Sequence, residues 1–574
     1  MKYLLPFFKQ YKKESILAPL FKMLEALFDL IVPLVVAKII DKGIMQGDVP
    51  YILKNFAILI IMAILGLLSS FTAQYFAAKA AIGTSASLRH KLLNHIQGLS
   101  FSELDSLGSS TLITRMTADV NQVQNGINMF LRLFLRSPFI VFGAMIMAFS
   151  INFDIALIFA AVIPILFIIV FGIMFITKPK YKKQQHQLDA VTGAARENLE
   201  GVRVIRAFGK ENDEKTSFDK ENLYLSSLQL NAGNIGALMN PLSYIAINAA
   251  IILILWFGAV KVNSGTLLSG NVIALINYLS QILVELVKLA NLIVLLSKAV
   301  VSSSRIGHIL DTKSTMQYGN ILSGSSKEAV RFENVSLKYH KGSENSLTDI
   351  SFCADKGNTI GIIGGTGSGK SSLVNLIARF YDASSGNVYF MGHNIKEWQR
   401  AALRSKIAVV MQKTQLFAGT VRSNLLYGNP DADDKEMWEA LKIAQAEEFV
   451  KQKEGGLDAV IEQGGRNLSG GQKQRLSVAR AVIAKPDVLI LDDSSSALDY
   501  ATDAAMRRAI ANLDNKPTMF IVSQRTAAIE NADKILVLED GRLAGCGTHK
   551  ELLENCAVYS EIYKSAHTRE DKDE

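Results

Sequence analysis

Six stretches of the chain, roughly 16–40, 54–78, 132–151, 155–177, 236–260 and 272–298, are each long and apolar enough to cross a bilayer. About 20 residues suffice for a spanning helix. In hydrocarbon the backbone must satisfy its own polar groups, so these stretches predict a six-helix, all-α transmembrane domain. Pro19, Pro33, Pro138, Pro164 and Pro241 fall inside them and are tolerable because neighbouring helices can serve the freed backbone groups. An even number of spans puts both termini on one side. The loops near 41–53, 152–154 and 261–271 are poor in Lys and Arg. The segments 79–131 and 178–235 instead hold Lys79, Arg89, Lys91, Arg115, Lys178, Lys180, Lys182, Lys183, Arg203 and Arg206. The positive-inside rule therefore makes those segments, both termini and the C-terminal half cytoplasmic, in a multi-pass protein of the plasma (inner) membrane. The basic-then-apolar start is like a signal peptide, but the apolar run continues to about Ile40, so a retained span is expected.

The two cytoplasmic segments are too long for turns, and no proline lies between Pro50 and Pro138 or between Pro179 and Pro241. They read as membrane helices that continue past the bilayer and reverse at short tips, expected at 108–120 and 206–218. After about residue 328 the composition becomes mixed, charged and Gly-punctuated. The expected organisation is a transmembrane domain over 1–310, a linker over 311–328, a nucleotide-binding domain over 329–565 and a polar tail over 566–574. The formal net charge of +8 is not gathered into a basic stripe with interleaved aromatics, which excludes nucleic acid as a partner. Three cysteines, Cys353, Cys546 and Cys556, form neither a metal motif nor a disulfide framework. Lys22, Glu25, Asp29, Glu285 and Lys288 fall inside spans, where ionisable side chains face the bundle interior or a wet cavity. Two readings stand side by side: a substrate chamber with affinity for cations, or ion pairs that fix helix packing.

Thr359–Gly365 is a continuous apolar strand that runs into Gly364-Gly365-Thr366-Gly367-Ser368-Gly369-Lys370-Ser371, with Ser372 opening the next helix. This is a complete phosphate loop, in which glycines let successive N–H groups curl around phosphates and the helix start adds positive potential. Lys370 is expected to hold the β- and γ-phosphates of ATP, and Ser371 to ligate Mg²⁺. A second buried strand, Asp487–Asp493, carries the Mg²⁺ carboxylate at Asp492. Between them, Leu468-Ser469-Gly470-Gly471-Gln472 opens an amphipathic helix, a second anion cradle best explained by a γ-phosphate from another subunit.

An LSGGQ between the two Walker motifs, behind six spans, resembles the exporter class of ABC transporters over nearly the whole chain. That resemblance implies that Tyr339 stacks on adenine, and that Gln412 senses Mg²⁺ and the γ-phosphate while touching the membrane half. It further implies that Asp499 belongs to the D-loop and that Glu462 to Arg466 lie near the tips. It also implies a homologous half-transporter as partner, membrane lipid around the chain and a small-molecule cargo.

Two positions depart from the family pattern. Its second Walker strand normally ends Asp-Glu, with the Glu polarising the attacking water; here it ends Asp492-Asp493. That carboxylate sits about 1 to 1.5 Å back, and a misplacement of about 1 Å can cost two orders of magnitude in rate. Gln524 stands where the family has a switch histidine; it can donate a hydrogen bond but cannot carry a proton and its charge. Together they resemble the degenerate-site subunit of bacterial heterodimeric multidrug exporters. The expectation is an ATP-driven exporter of amphipathic or cationic small molecules, weak in hydrolysis at its own site, whose signature completes the partner's site. A lipid flippase, a peptide exporter, and a nucleotide-gated channel or regulatory subunit are the alternatives.

Overall fold

The computed structural model describes residues 10–339, 344–493 and 498–573, with side chains to 565. They divide into two compact units: residues 1–97 with 108–312, and residues 98–107 with 313–574.

The first unit is helical. Its helices are α1 (Lys12–Lys38) and α2 (Val49–Gly98), followed, after the short α3 (Phe101–Leu107) of the other unit, by α4 (Ser109–Ile151) and α5 (Phe153–Glu200). Then come α6 (Val202–Ala207), α7 (Glu211–Asn263) and α8 (Ser269–Asp311). Among the described residues α2, α4, α5, α7 and α8 are long and apolar enough to cross a membrane. The sixth expected span, α1, is long enough at 27 residues but carries Lys22, Glu25 and Asp29, so its insertion belongs to the proposal below. At about 1.5 Å per residue, a helix of some 50 residues is about 75 Å long, well beyond a hydrocarbon core of about 30 Å. α2, at 50 residues, and α5, at 48, are therefore far longer than one crossing needs.

The reversals fall earlier than the sequence suggests. Gly108 and Gly209 take left-handed backbone angles, φ 74° and 61°, which glycine adopts without steric cost. The turns therefore occupy 99–108 and 201–210, and most of 108–120 and 206–218 is already helix. Inside the bundle, Ala26, Leu30, Ala144, Phe159, Leu275 and Tyr278 are buried together, and the Tyr278 hydroxyl donates to the Leu30 carbonyl at 2.6 Å.

The second unit is α/β. A six-stranded sheet runs in the order β12-β11-β3-β10-β9-β6. Its strands are β3 (Thr359–Gly364), β6 (Ile407–Val410), β9 (Val488–Asp492), β10 (Thr518–Val522), β11 (Lys534–Glu539) and β12 (Arg542–Gly547). All pair in parallel except β12. β3, β9 and β10 are buried almost throughout, as expected for strands covered on both faces. A four-stranded antiparallel sheet, order β2-β1-β4-β5, joins β1 (Glu328–Leu337), β2 (Leu347–Asp355), β4 (Ser385–Phe390) and β5 (His393–Asn394). Of residues 311–328, read above as a separate linker, 313–328 group with this unit, through backbone bonds described below. The last helix, Ala557–Asp573, carries its backbone on through the expected polar tail; Glu574 lies outside the described residues.

Candidate nucleotide site

β3 delivers the phosphate loop from the middle of the parallel sheet. A side chain at Gly364 would place its first carbon 2.1 Å from the Leu538 carbonyl oxygen of β11, so only glycine fits there. Gly369 has φ 96°, and a side chain on it would meet Leu347 and the Ser346 carbonyl at 2.7 Å. The loop then feeds α9 (Lys370–Ile377). The Lys370 ammonium lies over the loop, donating to the carbonyls of Gly364 at 2.9 Å and Gly365 at 2.6 Å. Burial lowers its pKa, and the carboxylates of Asp493 and Asp492 oppose that.

Ser371 donates to Asp492 Oδ1 at 3.3 Å, so the hydroxyl and carboxylate expected to share Mg²⁺ are neighbours. Burial raises the Asp492 pKa against the Ser371 bond, and the Asp493 charge adds to the rise. A divalent cation there would offset that cost. The donor set is all oxygen, as Mg²⁺ requires. Among the described residues no group of three or more His, Cys, Asp or Glu is placed to form a metal cage.

The remaining catalytic candidates converge on the C-terminal ends of β9 and β10, where ligands of open α/β sheets bind. Asp492 pairs in register with Val522, and the Asp493 N–H donates to the Val522 carbonyl at 3.0 Å. Asp493 is left-handed, φ 48°, a conformation that aspartate tolerates better than most side chains. Its Oδ2 accepts from Gln412 Nε2 at 2.9 Å. Gln412 thus sits on Asp493, leaving its amide oxygen as the atom able to face a cation. Gln524 is exposed two residues past β10.

Tyr339 donates to the Ser372 hydroxyl at 3.0 Å and packs edge-on against Tyr381, ring centres 4.9 Å apart. An open cleft of about 530 Å³ runs over the loop. Its lining includes Glu344, Asn345, Ser346, Asp540 and Gly541, none of which carries a local sequence signal; the fold alone brings the β11–β12 turn and the start of β2 there. Tyr339→Ala is expected to weaken binding of a fluorescent ATP analogue about ten-fold, the loss of one base–aromatic stack, with little change in inorganic triphosphate binding.

Ser469 caps α10 (Gly470–Val482): its hydroxyl accepts from Gln472 N–H at 3.3 Å and Gln472 Oε1 accepts from Ser469 N–H at 3.1 Å. The start of α10 is exposed, with Arg480 anchoring its far end on the Gln415 carbonyl at 3.0 Å. Asp499 caps the helix Tyr500–Ala511 by accepting from Thr502 N–H at 2.8 Å; Ser495, Ser496 and Ala497 lie outside the described residues.

The membrane-half charges form one network around a residue the sequence reading passed over. Arg136 donates to Glu285 at 2.5 Å and Asp29 at 2.9 Å and lies 3.8 Å from Glu25. Lys22 pairs with Glu25 at 2.5 Å, Lys288 with Glu285 at 2.9 Å, and Ser137 donates to Glu285 at 2.7 Å. Three cations thus face three carboxylates across α1, α4 and α8. Arg136 lies within the apolar stretch 132–151, so the same rule that singled out its partners points to it.

Comparison with known proteins agrees with both halves. The family model described as ABC transporter transmembrane region matches residues 15–286, and the one described as ABC transporter matches 347–496. An uncharacterized ABC transporter ATP-binding protein, YfiB of Bacillus subtilis (strain 168), is 35% identical over 566 residues, covering 99% of this chain and 98% of the relative. The chain belongs to the ABC transporters. Relatives of this ABC transporter include a protein of the same organism, YgaD, provisionally named for multidrug export, 30% identical over 98% of each chain. The ATP-dependent lipid A-core flippase of Photorhabdus laumondii is 28% identical over 88% of this chain and 87% of its own. The fold is that of a bacterial Atm1-family ABC exporter solved with ATP bound, TM-score 0.79 at 20% identity, over 97% of this chain and 98% of that one. The transporter is a multi-pass membrane protein whose ATP-binding domain couples ATP hydrolysis to transport.

Proposed function

We propose that this ABC transporter is the degenerate-site subunit of a heterodimeric exporter that moves amphipathic or cationic small molecules out of the cytoplasm. The observation that carries the reading is the pairing of Asp493 and Gln524 at the ends of adjacent strands. Both groups that should polarise water and sense the γ-phosphate are altered in one nucleotide site. With α1 as a sixth span, two such chains make a twelve-helix bundle. ATP held by Tyr339, Gly364–Ser372 and Mg²⁺ on Ser371, Gln412 and Asp492 closes the nucleotide domains. The closed dimer is favoured because ATP binds it more tightly than the open one. Ser469, Gly470, Gly471 and Gln472 face the partner's nucleotide, where hydrolysis resets the cycle.

The charge network favours packing as the main task of Glu25 and Glu285, whose charges are met by Arg136. Asp29 differs: its side chain is 45% exposed, so it is the carboxylate open to cargo. In inverted membrane vesicles of cells expressing both subunits, ATP-dependent accumulation of a cationic dye such as Hoechst 33342 is the expected result. Asp29→Asn should lower it several-fold while sparing an uncharged amphiphile. Ion conductance without accumulation would overturn the export reading. The flippase-named relative supports a second cargo, a lipid, which ATP-dependent movement of labelled phospholipid between leaflets would reveal.

A further inference from the structure

The segment that runs from α2 into α3 bonds to the segment that follows α8 twice, once within each unit. Within the membrane unit, His95 Nε2 meets the Thr312 carbonyl at 2.9 Å. Three residues on, within the nucleotide-binding unit, Glu103 of α3 accepts from the Thr315 hydroxyl at 2.8 Å and from its N–H at 3.3 Å. The other oxygen of Glu103 takes the Ser100 N–H at 3.0 Å and the Ser100 hydroxyl. Glu103 is only 7% exposed, and a carboxylate so placed is costly unless its lone pairs are met. Here they are: burial pushes its pKa up, but the Ser100 and Thr315 bonds outweigh that and hold it below the usual value.

Beyond Thr315 the chain is fastened along its length. Gly319 N–H donates to the Lys396 carbonyl at 3.1 Å, Ile321 N–H to Glu397 at 3.0 Å, and Gln399 N–H returns a bond to Ile321 at 2.9 Å. The Arg379 guanidinium, 1% exposed, donates to the Gln317 carbonyl at 2.5 Å, to Ile395 at 3.0 Å and to Asp382 at 2.9 Å. It also lies 4.3 Å over the Tyr318 ring. Arg379 is two residues past α9, the helix that the phosphate loop opens. The next residue, Phe380, packs on Phe101 of α3 at 4.7 Å, and Tyr381 donates to Asp105. One short stretch behind the phosphate-loop helix therefore grips both the tip and the linker.

We propose that residues 315–321 are a transmission strap, with Glu103 and Arg379 as positioning residues that pass movement of the phosphate-loop helix directly into α8. The strap continues covalently into α8, which carries Glu285 and Lys288, so it reaches the charge network along the chain itself, with Glu103 of the first reversal holding it in place. The proposal rests on the reading that this chain binds ATP. A route of this kind must be shown by coupling, not by adjacency.

Hydrogen exchange of the full-length chain in lipid nanodiscs, with and without Mg-ATP, is the test. In the parent protein ATP should slow exchange at 364–372 and at 299–312. Thr315→Val and Glu103→Ala should keep the first effect and cut the second at least about three-fold; Thr315→Ser, which retains the hydroxyl, should restore it. Protection at 299–312 that persists in both variants, or that is absent from the parent, overturns the strap. Equal loss at both regions marks a merely structural role and overturns it too. No protection at 364–372 in the parent would instead refute ATP binding by this chain.

Discussion

Ser469→Arg should remove at least about nine-tenths of the ATP turnover of the two-subunit transporter, whereas Asp493→Asn should leave more than about half of it. The two residues sit in one chain but, on the proposed reading, serve different nucleotides. Ser469 caps α10, and on that reading the exposed N–H groups at its start are aimed at charge that develops on the partner's γ-phosphate. An arginine side chain there would block the phosphate's approach to those N–H groups, and losing even one such preorganised donor from a catalytic site costs about 10²- to 10³-fold in known cases. On the same reading Asp493 lies in a slow site, because its shorter carboxylate is held by Gln412 and Gln524 stands where the family has a switch histidine. Steady-state phosphate release by the purified complex separates the two effects. Equal losses would mean that both sites hydrolyse.

Arg136→Leu should destabilise the membrane half by about 3–5 kcal/mol, the usual cost of stranding a buried partner of an ion pair. Glu285 has only a 4% exposed side chain and would keep Lys288 alone as counter-charge; Glu25 would keep Lys22. The expected readout is a melting temperature several degrees lower in detergent, with less assembled transporter in the membrane. Combining Arg136→Leu with Glu285→Gln and Asp29→Asn should recover much of that loss, since Lys22 then keeps Glu25 and the one charge left without its partner, on Lys288, has a 43% exposed side chain. A triple variant less stable than the single one would show that the network does more than balance charge.

How far each feature was legible follows from how local its signal is. Gly364 to Ser371, Asp492 and Ser469 to Gln472 stand out in the sequence because each motif carries its own backbone chemistry, and the sheet brings Ser371 within 3.3 Å of Asp492. The long cytoplasmic helices followed from missing prolines. The reversals did not, because α2 already ends at Gly98 and α5 at Glu200, ahead of the segments expected to turn. The charge network was half legible: five of its members stood out, but Arg136 needed the third dimension to become their common partner. Asp540, Gly541 and the strap residues Glu103, Thr315 and Arg379 are ordinary polar residues in the sequence. Only the chain path, which returns α3 and the linker to the same stretch behind α9, gives them neighbours.

The central claim, that this chain holds ATP better than it splits it, is tested most directly on the chain purified alone as a homodimer in nanodiscs, where the Ser469–Gln472 segment of each copy can serve the nucleotide of the other. Its ATP affinity and turnover are compared with those of the Asp493→Glu/Gln524→His variant. The account predicts similar affinity and a turnover at least about ten-fold higher in the variant, toward the hundred-fold that about 1 Å of repositioning allows. A parent chain that hydrolyses ATP as fast as the variant would contradict it.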